Sequence, residues 1–262
     1  MANQLFIQNK VVKINNNITL NSPPFYIDFA TKFDTESDSN TGSIEIFNLS
    51  SQTIKKITKE ENLLLKAGYG NDVGVITESD IVEIKTRWES KDKITEIVIS
   101  ESSKEWLNKK INRTWKKNIK VERVAKDIID NLDISIGKID IPNKRYAKGK
   151  TFSTTCKKAL EEIANDFDLK LHVSKGNIYL LNPEKSAEKI INISPNNGLI
   201  EYPELNNGNY KAKMLLNYRI RPDIILNLKD TKVTGKFRVI NGEHIASGND
   251  FKTEVVMEKY EW

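Results

Sequence analysis

Cysteine and histidine are scarce in this sequence of 262 residues, which contains one Cys and two His. A single cysteine, Cys156, cannot form an intramolecular disulfide, so packing alone must hold the fold and a disulfide-stapled secreted scaffold is excluded. Two histidines and one cysteine are also too few for a Cys/His zinc cluster. The sequence therefore predicts no metal site of this kind.

Glycine and proline are sparse as well, at 12 and 7 residues, which excludes collagen-like and low-complexity chains. No apolar run approaches the roughly 18 residues of a membrane-spanning helix. The first residues, MANQLFIQNK, lack the apolar core of a secretory signal peptide. We expect a soluble protein of two or three small packed domains, made and folded in the cytoplasm and without a membrane partner.

Charge of one sign is not concentrated in any arm, because 41 basic and 36 acidic residues are interspersed and leave a net charge of +5. One basic cluster surrounds Trp106 and Trp115 and has the composition of a patch that stacks bases and holds phosphates: Lys109, Lys110, Arg113, Lys116 and Lys117. Glu101 and Glu105 flank it, and no nucleic-acid-binding motif accompanies it. Nucleic-acid binding is not expected, and these tryptophans and Trp88 are interpreted as core or interface anchors.

Each side chain suited to acid–base or nucleophilic chemistry has a structural interpretation. His172 alternates with apolar neighbours and is placed on the outer face of a strand, whereas His244 is placed in a polar loop with a structural or interface role. Cys156 lies on the apolar stripe of a helix and is interpreted as a core residue. Glu161 and Glu162 are adjacent on that helix and are interpreted as its solvated face.

No catalytic fingerprint is complete. Gly149-Lys150-Thr151 is similar to the end of a phosphate-binding loop, but Lys144 stands where the first glycine is required. The nucleophile-elbow, zinc-protease and dinucleotide-binding patterns are missing, and only a carboxylate pair for glycoside cleavage, which needs no motif, stays open. The sequence predicts no catalytic, cofactor-binding or metal-ligating residues, no cofactor, and no enzymatic activity.

Alternating apolar residues predict an amino-terminal β domain over residues 1–102. Its strands are expected at 44–47, 63–69, 81–84 and 94–99. Ser50 and Ser51 can cap a short helix whose Ile54 and Ile57 share a face, so that this helix would plug one end of the β domain.

The period changes in the middle of the chain, which predicts a small α/β domain over residues 103–185. Two apolar stripes with helical spacing run from Val121 to Leu132 and from Cys156 to Phe167, and an alternating segment follows each. Strands return over residues 186–262, punctuated by Asn-Gly and Gly-Asn turns. The predicted class is α+β, with two tube-like antiparallel β-barrel or sandwich domains flanking a small α/β middle domain.

Several segments resemble baseplate hub proteins of bacteriophage tails and tail-like particles. In that family a strand ends in an Asn-Leu-Ser/Thr turn, a helix follows, and the next strand ends in Ala-Gly-Tyr, as in residues 44–50 and 67–69 here. Further segments that resemble the family's strands, middle domain and closing barrel are 74–76, 149–153, 159–164, 169–181, 235–239 and 243–244. The resemblance covers most of the chain.

This resemblance implies a homotrimer whose three chains present six β domains to a hexameric tail tube and adapt it to a trimeric spike. The implied partners are the spike, the tail tube or a tube-initiator protein, the tape-measure protein and the baseplate wedge. The implied location is the baseplate of a virion or tail-like particle, assembled in a bacterial cytoplasm. Since the family decoration that would follow Trp262 is missing here, a cell-wall enzyme or spike is expected to be a separate protein.

The main alternative is a LysM-like module that binds cell-wall glycan, because residues 159–164 also resemble the helix of that domain. A peptidoglycan hydrolase is the enzymatic alternative. Whether the particle is a phage, a tail-like bacteriocin or another injection system, and whether its tail contracts, stays open at the level of sequence. The same holds for the interface residues and for the oligomeric state of the free protein.

Overall fold

A computed structural model describes residues 7–15, 17–35, 40–101, 104–132, 134–183 and 190–260. Strands make up 59% of the chain and helices 13%, so the predicted β-rich α+β class is confirmed. The chain divides into two compact units. Unit 1 contains the described residues 7–34, 40–101 and 190–260, and unit 2 contains residue 35 and the described residues from 104 to 183.

The amino-terminal region of unit 1 is a run of strands with one short helix. Its elements are β1 Gln8–Ile14, β2 Ile18–Ser22, β3 Ile27–Asp34, β4 Thr41–Phe47, α1 Ser51–Ile54, β5 Asn62–Tyr69, β6 Asp72–Glu89 and β7 Asp92–Ser100. The predicted helix forms because the Ser50 hydroxyl accepts the Thr53 N–H at 3.0 Å and satisfies a donor that the helix leaves unpaired. Leu49 and Ile57 beside it are buried in the core of this region.

The carboxyl-terminal region of unit 1 is also built of strands. They are β15 Ile190–Ile193, β16 Leu199–Asn206, β17 Asn209–Leu215, β18 Ile225–Lys229, β19 Thr234–Ser247 and β20 Asp250–Lys259, with a 3₁₀ turn at Pro195–Asn197. Burial alternates along β20, where Phe251, Thr253, Val255 and Met257 face inward, so the hydrophobic period of two determines which face meets the core.

All strands of unit 1 belong to one sheet with the order β16-β17-β20-β19-β3-β4-β7-β6-β5-β1-β2, and β18 joins β15 to β19. The pairs are antiparallel except β15 with β18. The long strand β19 connects the two regions: its residues 234–238 pair with β18 and its residues 241–246 pair with β3. A register shift between Val239 and Asn241 lies between these two stretches.

Two hydrophobic cores lie against this sheet. One is formed mainly by the amino-terminal strands and also receives Leu216, Ala246 and Phe251. The other is formed mainly by the carboxyl-terminal strands and receives Phe33 from β3. The two β domains predicted at 1–102 and 186–262 thus share one compact unit while each has a core of its own, and the three-domain division with borders at 102 and 185 stays a prediction.

Unit 2 combines small sheets with helices. Its elements are α2 Lys104–Asn108, β8 Lys110–Trp115, β9 Ile119–Lys120, α3 Val121–Ile129, β10 Ser135–Ile139, β11 Arg145–Tyr146, β12 Lys150–Thr155, α4 Cys156–Asp166, β13 Lys170–Ser174 and β14 Asn177–Leu181. The strands pair as β10-β14-β13, β11-β9 and β12-β8. Both apolar stripes predicted from the sequence are the buried faces of α3 and α4, so those helices are confirmed.

Candidate functional site

Both histidines are buried, which corrects the two placements made from the sequence. His172 lies on β13 with no exposed surface and stacks on Tyr179 at 5.0 Å between ring centroids, so the outer-face prediction is wrong. His244 lies within β19 and not in a loop. The polar side chains of residues 241–244 predict a loop. In the structure this stretch pairs with β20 on one edge and with β3 on the other, and these backbone hydrogen bonds outweigh the local preference of polar residues for a loop.

His244 holds the segment between β17 and β18 against the sheet. Its Nε2 donates to the Ile220 carbonyl at 3.2 Å, and its Nδ1 is hydrogen-bonded to the Thr253 hydroxyl at 2.9 Å. The Thr253 oxygen also accepts the Asn217 N–H at 3.0 Å. Because the carbonyl can only accept, this network places a proton on Nε2.

The remaining candidates for chemistry are also held in structural contacts. Cys156 is fully buried in α4, and burial raises the pKa of its thiol, which makes it a poor nucleophile. Lys150 Nζ binds Glu162 Oε1 at 2.6 Å and Asp166 Oδ2 at 3.2 Å across the surface of unit 2. Glu161 lies 3.7 Å from Lys157 as an i,i+4 pair. These three groups therefore have packing or ion-pair roles in unit 2.

The basic, tryptophan-containing cluster of the sequence is organised around a buried carboxylate. Asp127 Oδ2 accepts from the Trp115 indole at 2.8 Å and lies 3.2 Å from Arg113, while its Oδ1 lies 3.0 Å from Arg123. Trp106 and Trp115 are both buried. Their rings are therefore not presented for stacking on bases, and they anchor the core of unit 2.

The part of the chain that the structure describes contains no group of three or more His, Cys, Asp or Glu side chains placed to hold a metal ion. Among the same residues, no helix is long and apolar enough to cross a membrane.

A polar latch joins the two β regions of unit 1 through side chains. We use this name for Asp72, Gly74, Tyr218 and Arg219. Arg219 binds the Asp72 carboxylate through two nitrogens at 2.6 and 2.9 Å, and the Tyr218 hydroxyl donates to it at 2.8 Å. These hydrogen bonds, first of all that of Arg219, lower the pKa of Asp72.

Glycine is required at the latch because a Cβ on Gly74 would lie 2.1 Å from the Tyr218 ring. A second contact between the regions is made by Tyr69, whose hydroxyl donates to the Phe251 carbonyl at 3.1 Å. Burial raises the pKa of Tyr69 to about 12, so this donor keeps its proton at neutral pH. The latch, Tyr69 and β19 together hold the two β regions to each other.

Strands β6 and β7 form a long hairpin. Strand β6 pairs with β5 only as far as Asp80, and beyond that residue β7 is its only partner among the described strands. Near the tip of the hairpin lies Trp88, which is 72% exposed. The hairpin is held close to its tip: Arg87 binds Glu45 at 2.8 Å, and the Asn48 side chain binds Asp92 at 2.8 Å. The sequence predicted only the short strand 81–84 here, because the outer half of β6 has no buried side chains to produce an alternating pattern.

A groove of about 540 Å³ lies on the other region of unit 1, beside β16. Its wall on β16 is formed by Glu201, Tyr202, Glu204 and Asn206, and its floor by β17, β20, β19 and β3. Two other apolar side chains of β16, Ile200 and Leu205, are exposed next to this wall. Large exposed apolar side chains on a strand edge are typical of a surface that another chain covers.

Sequence reasoning interpreted Trp88 as a core or interface anchor, and the structure exposes it at a hairpin tip. The sequence did not predict the groove or the latch. Asp72 is 146 positions from Tyr218 and 147 from Arg219, and local periodicity carries no signal for such a contact.

No protein-family model and no curated protein matches the sequence. Solved structures of the same fold do match over nearly the full chain. A 43 kDa prophage tail protein from Shewanella oneidensis has a TM-score of 0.69 and 7% identity, over 96% of this chain and 97% of that chain. A tail protein from Neisseria meningitidis has a TM-score of 0.70 and 8% identity, over 98% and 97%.

A third match is an Escherichia coli component of the type VI secretion system, described as structurally similar to the T4 bacteriophage tail proteins gp27 and gp5. Its TM-score is 0.65 with 8% identity, over 95% of this chain and 77% of that chain. The predicted resemblance to tail and tail-like baseplate proteins is confirmed as a likeness of fold.

Proposed function

We propose that this chain is a structural hub of a phage tail or tail-like particle, in which three copies adapt a trimeric spike to a hexameric tube. The observation that carries the proposal is the build of unit 1. One chain supplies two β regions, each with its own core, and joins them through β19. Three such chains supply six β regions, which is the number needed to meet a sixfold ring with a threefold partner.

The fixed junction inside unit 1 supports this role. A ring of six β regions closes only if the angle between the two regions of each chain is reproducible. A shared strand, a bidentate arginine–carboxylate contact and a tyrosine ring packed on a glycine restrict that angle more than a flexible linker would. The likeness of fold to tail proteins over most of the chain points to the same class.

The proposed partners are a trimeric spike, the tail tube or a tube-initiator protein, the tape-measure protein and the baseplate wedge. The proposed location is the baseplate of a virion or tail-like particle, assembled in a bacterial cytoplasm. The proposed role is not enzymatic, because the histidines, Cys156 and Lys150 are buried or ion-paired in structural contacts. The glycan-binding and hydrolase alternatives gain no support, because the helix behind them, α4, is followed directly by the hairpin β13–β14.

The test is the mass of the purified protein by light scattering, alone and after mixing with the candidate trimeric spike from the same genome. A trimer, or a complex with three copies of each protein, supports the hub. A protein that stays monomeric with the spike contradicts it. Sedimentation with insoluble cell walls or release of muropeptides would instead support the glycan-binding or hydrolase alternative.

A further inference from the structure

We propose that the tip of the β6–β7 hairpin of one copy docks into the groove beside β16 of a second copy, with Trp88 as the central contact. The choice of a second copy as the occupant rests on the proposed function. The contact is heterologous, since a different surface of each copy takes part, and heterologous contacts close into rings when the rotation between copies permits it.

The hairpin tip has the composition of an interface anchor. Trp88 is the most exposed of the large apolar side chains that the structure describes, and Val82 on the same strand is half exposed. Tryptophan, tyrosine and arginine dominate the binding energy of protein interfaces when they are covered. Leaving an indole ring in water is unfavourable, so a partner that covers it gains free energy.

The tip is also pre-organised for binding. The Asn48 side chain accepts the Lys93 N–H at 3.0 Å and donates to Asp92, and Arg87 is held by Glu45. A hairpin that is already ordered loses little conformational entropy when it docks.

The groove complements the tip in size and in charge. Its volume of about 540 Å³ falls in the range of pockets that enclose small molecules, so an indole ring fits into it. Residues 85–93 of the hairpin include four basic and two acidic side chains, a formal charge of +2. The residues that line the groove include four glutamates and three lysines, a formal charge of −1. Opposite charges on two surfaces steer their encounter and fix their orientation.

The groove also offers an aromatic wall. Tyr202 is half exposed, and one face of its ring carries Lys232 Nζ at 4.7 Å from the centroid. Ile200 and Leu205 extend the apolar surface along the same strand. Trp88 is not covered by the groove of its own chain, because it is exposed in the isolated molecule. In an assembly, the hairpin tip of one chain can therefore contact one neighbouring copy while its groove contacts another.

The experiment replaces Trp88 with a photocrosslinking benzoylphenylalanine and mixes this protein with an isotope-labelled copy, alone and together with the spike. Mass spectrometry then identifies the peptide that is joined. We expect intermolecular crosslinks to residues 199–206 or to the groove floor. The same probe at Leu107, which is 46% exposed and lies on α2 of unit 2, is the control and should not reach these residues.

Substitutions give an independent measurement by sedimentation velocity. Trp88→Ala should weaken association between copies by roughly 30-fold, the effect of a strong interface contact, and Leu107→Ala should not. Lys91→Glu and Glu204→Lys should each weaken association. A mixture of these two variants should restore it, because the acidic side chain introduced at position 91 on the hairpin of one variant then faces the basic side chain introduced at position 204 in the groove of the other.

The outcomes separate this inference from the hub itself. A trimer without crosslinks from position 88 to the groove, or with unchanged assembly of Trp88→Ala, overturns the inference and leaves the hub. Crosslinks to the groove in an assembly that is not trimeric support the inference and contradict the hub. A protein that stays monomeric with the spike and forms no intermolecular crosslinks overturns both.

Discussion

Each of the two compact units contains a carboxylate that is mostly shielded from solvent, Asp127 in unit 2 and Asp28 in unit 1, but the two carboxylates have different partners. In unit 2, Asp127 receives the Trp115 indole and two arginines within 3.2 Å. In unit 1, Asp28 has Lys10 at 3.8 Å, a 3.3 Å hydrogen bond from Ser247 and a backbone hydrogen bond from Gly248, and its Oδ1 has no hydrogen-bond partner. Burial raises the pKa of Asp28 and lowers that of Lys10. Burial alone therefore does not determine how much a carboxylate contributes to stability. That contribution also depends on how many hydrogen-bond donors and cations lie near it and at what distance.

The Lys10 ammonium has a separate task, because it donates to the Ile27 carbonyl at 2.6 Å. That carbonyl lies on β3 before the stretch, beginning at Phe29, that pairs with β19. Lys10 comes from β1, and no pairing joins β1 or β2 to β3 among the described strands. A lysine side chain thus bridges β1 and β3 where the sheet has no backbone bonds, and this explains why an ammonium group is retained in an apolar setting.

The largest loss of stability is expected when a leucine is removed from the core of either unit, and each loss should be confined to the unit that carries the substitution. Leu160→Ala in α4 and Leu65→Ala in β5 each remove a fully buried side chain from one core. Each should lower the free energy of unfolding of its own unit by about 2–5 kcal/mol, because transfer energy is lost and a cavity is left. Hydrogen exchange read by mass spectrometry should show faster exchange in unit 2 for the first variant and in unit 1 for the second. Equal acceleration in both units would contradict the division.

A smaller effect is expected at the well-paired carboxylate. Asp127→Ala leaves the buried Trp115 indole N–H without its acceptor, which should cost about 1–3 kcal/mol. Arg123→Ala removes an exposed partner of the same carboxylate and should cost under about 1 kcal/mol. Urea denaturation of both variants measures the difference. Equal losses would show that the ion pair, and not the indole hydrogen bond, is the important contact.

Asp28, the carboxylate with fewer partners, should make the stability of the protein depend on pH. Because the pKa of Asp28 in the folded protein is raised above its ordinary value of 3.8, the folded state keeps a proton that the unfolded chain has released. Stability contributed by this group therefore falls as pH rises from 3.8 through the raised pKa. Asp28→Asn should remove that slope in thermal melts recorded across this range. An unchanged slope would mean that another group titrates there.

The smallest effect is expected at the latch, because its charges are exposed. Arg219→Ala should change the free energy of unfolding by less than about 1 kcal/mol. Since the pKa of Asp72 is lowered, its contribution is present above its ordinary value of 3.8 and is lost as pH falls through the lowered pKa. Thermal melts at low and high salt measure the effect of Arg219→Ala, and melts from neutral pH to below pH 3.8 measure the contribution of Asp72. Tyr218→Phe, which keeps the ring on Gly74, serves as the control and should leave the salt dependence in place.

Much of the candidate surface was outside the reach of the sequence. Trp88 could be selected as an anchor because tryptophan is large and rare, but its exposure follows from the outer part of β6, which pairs with β7 and no longer with β5. The groove depends on how β16 pairs with β17, where the register shifts twice. Exposed and buried apolar side chains look alike until the register of a strand is known.

Local signals in the sequence were enough to predict the class of the fold and its short elements. Apolar stripes of helical period predicted α3 and α4, alternation predicted the main strands, and Ser50 predicted the start of α1, because each signal lies within a few residues. The tertiary structure alone decided that β19 joins both β regions, that His172 and His244 are buried, and that Asp72 meets Arg219. These features arise from contacts between residues far apart in the chain, where long-range pairing outweighs local preference.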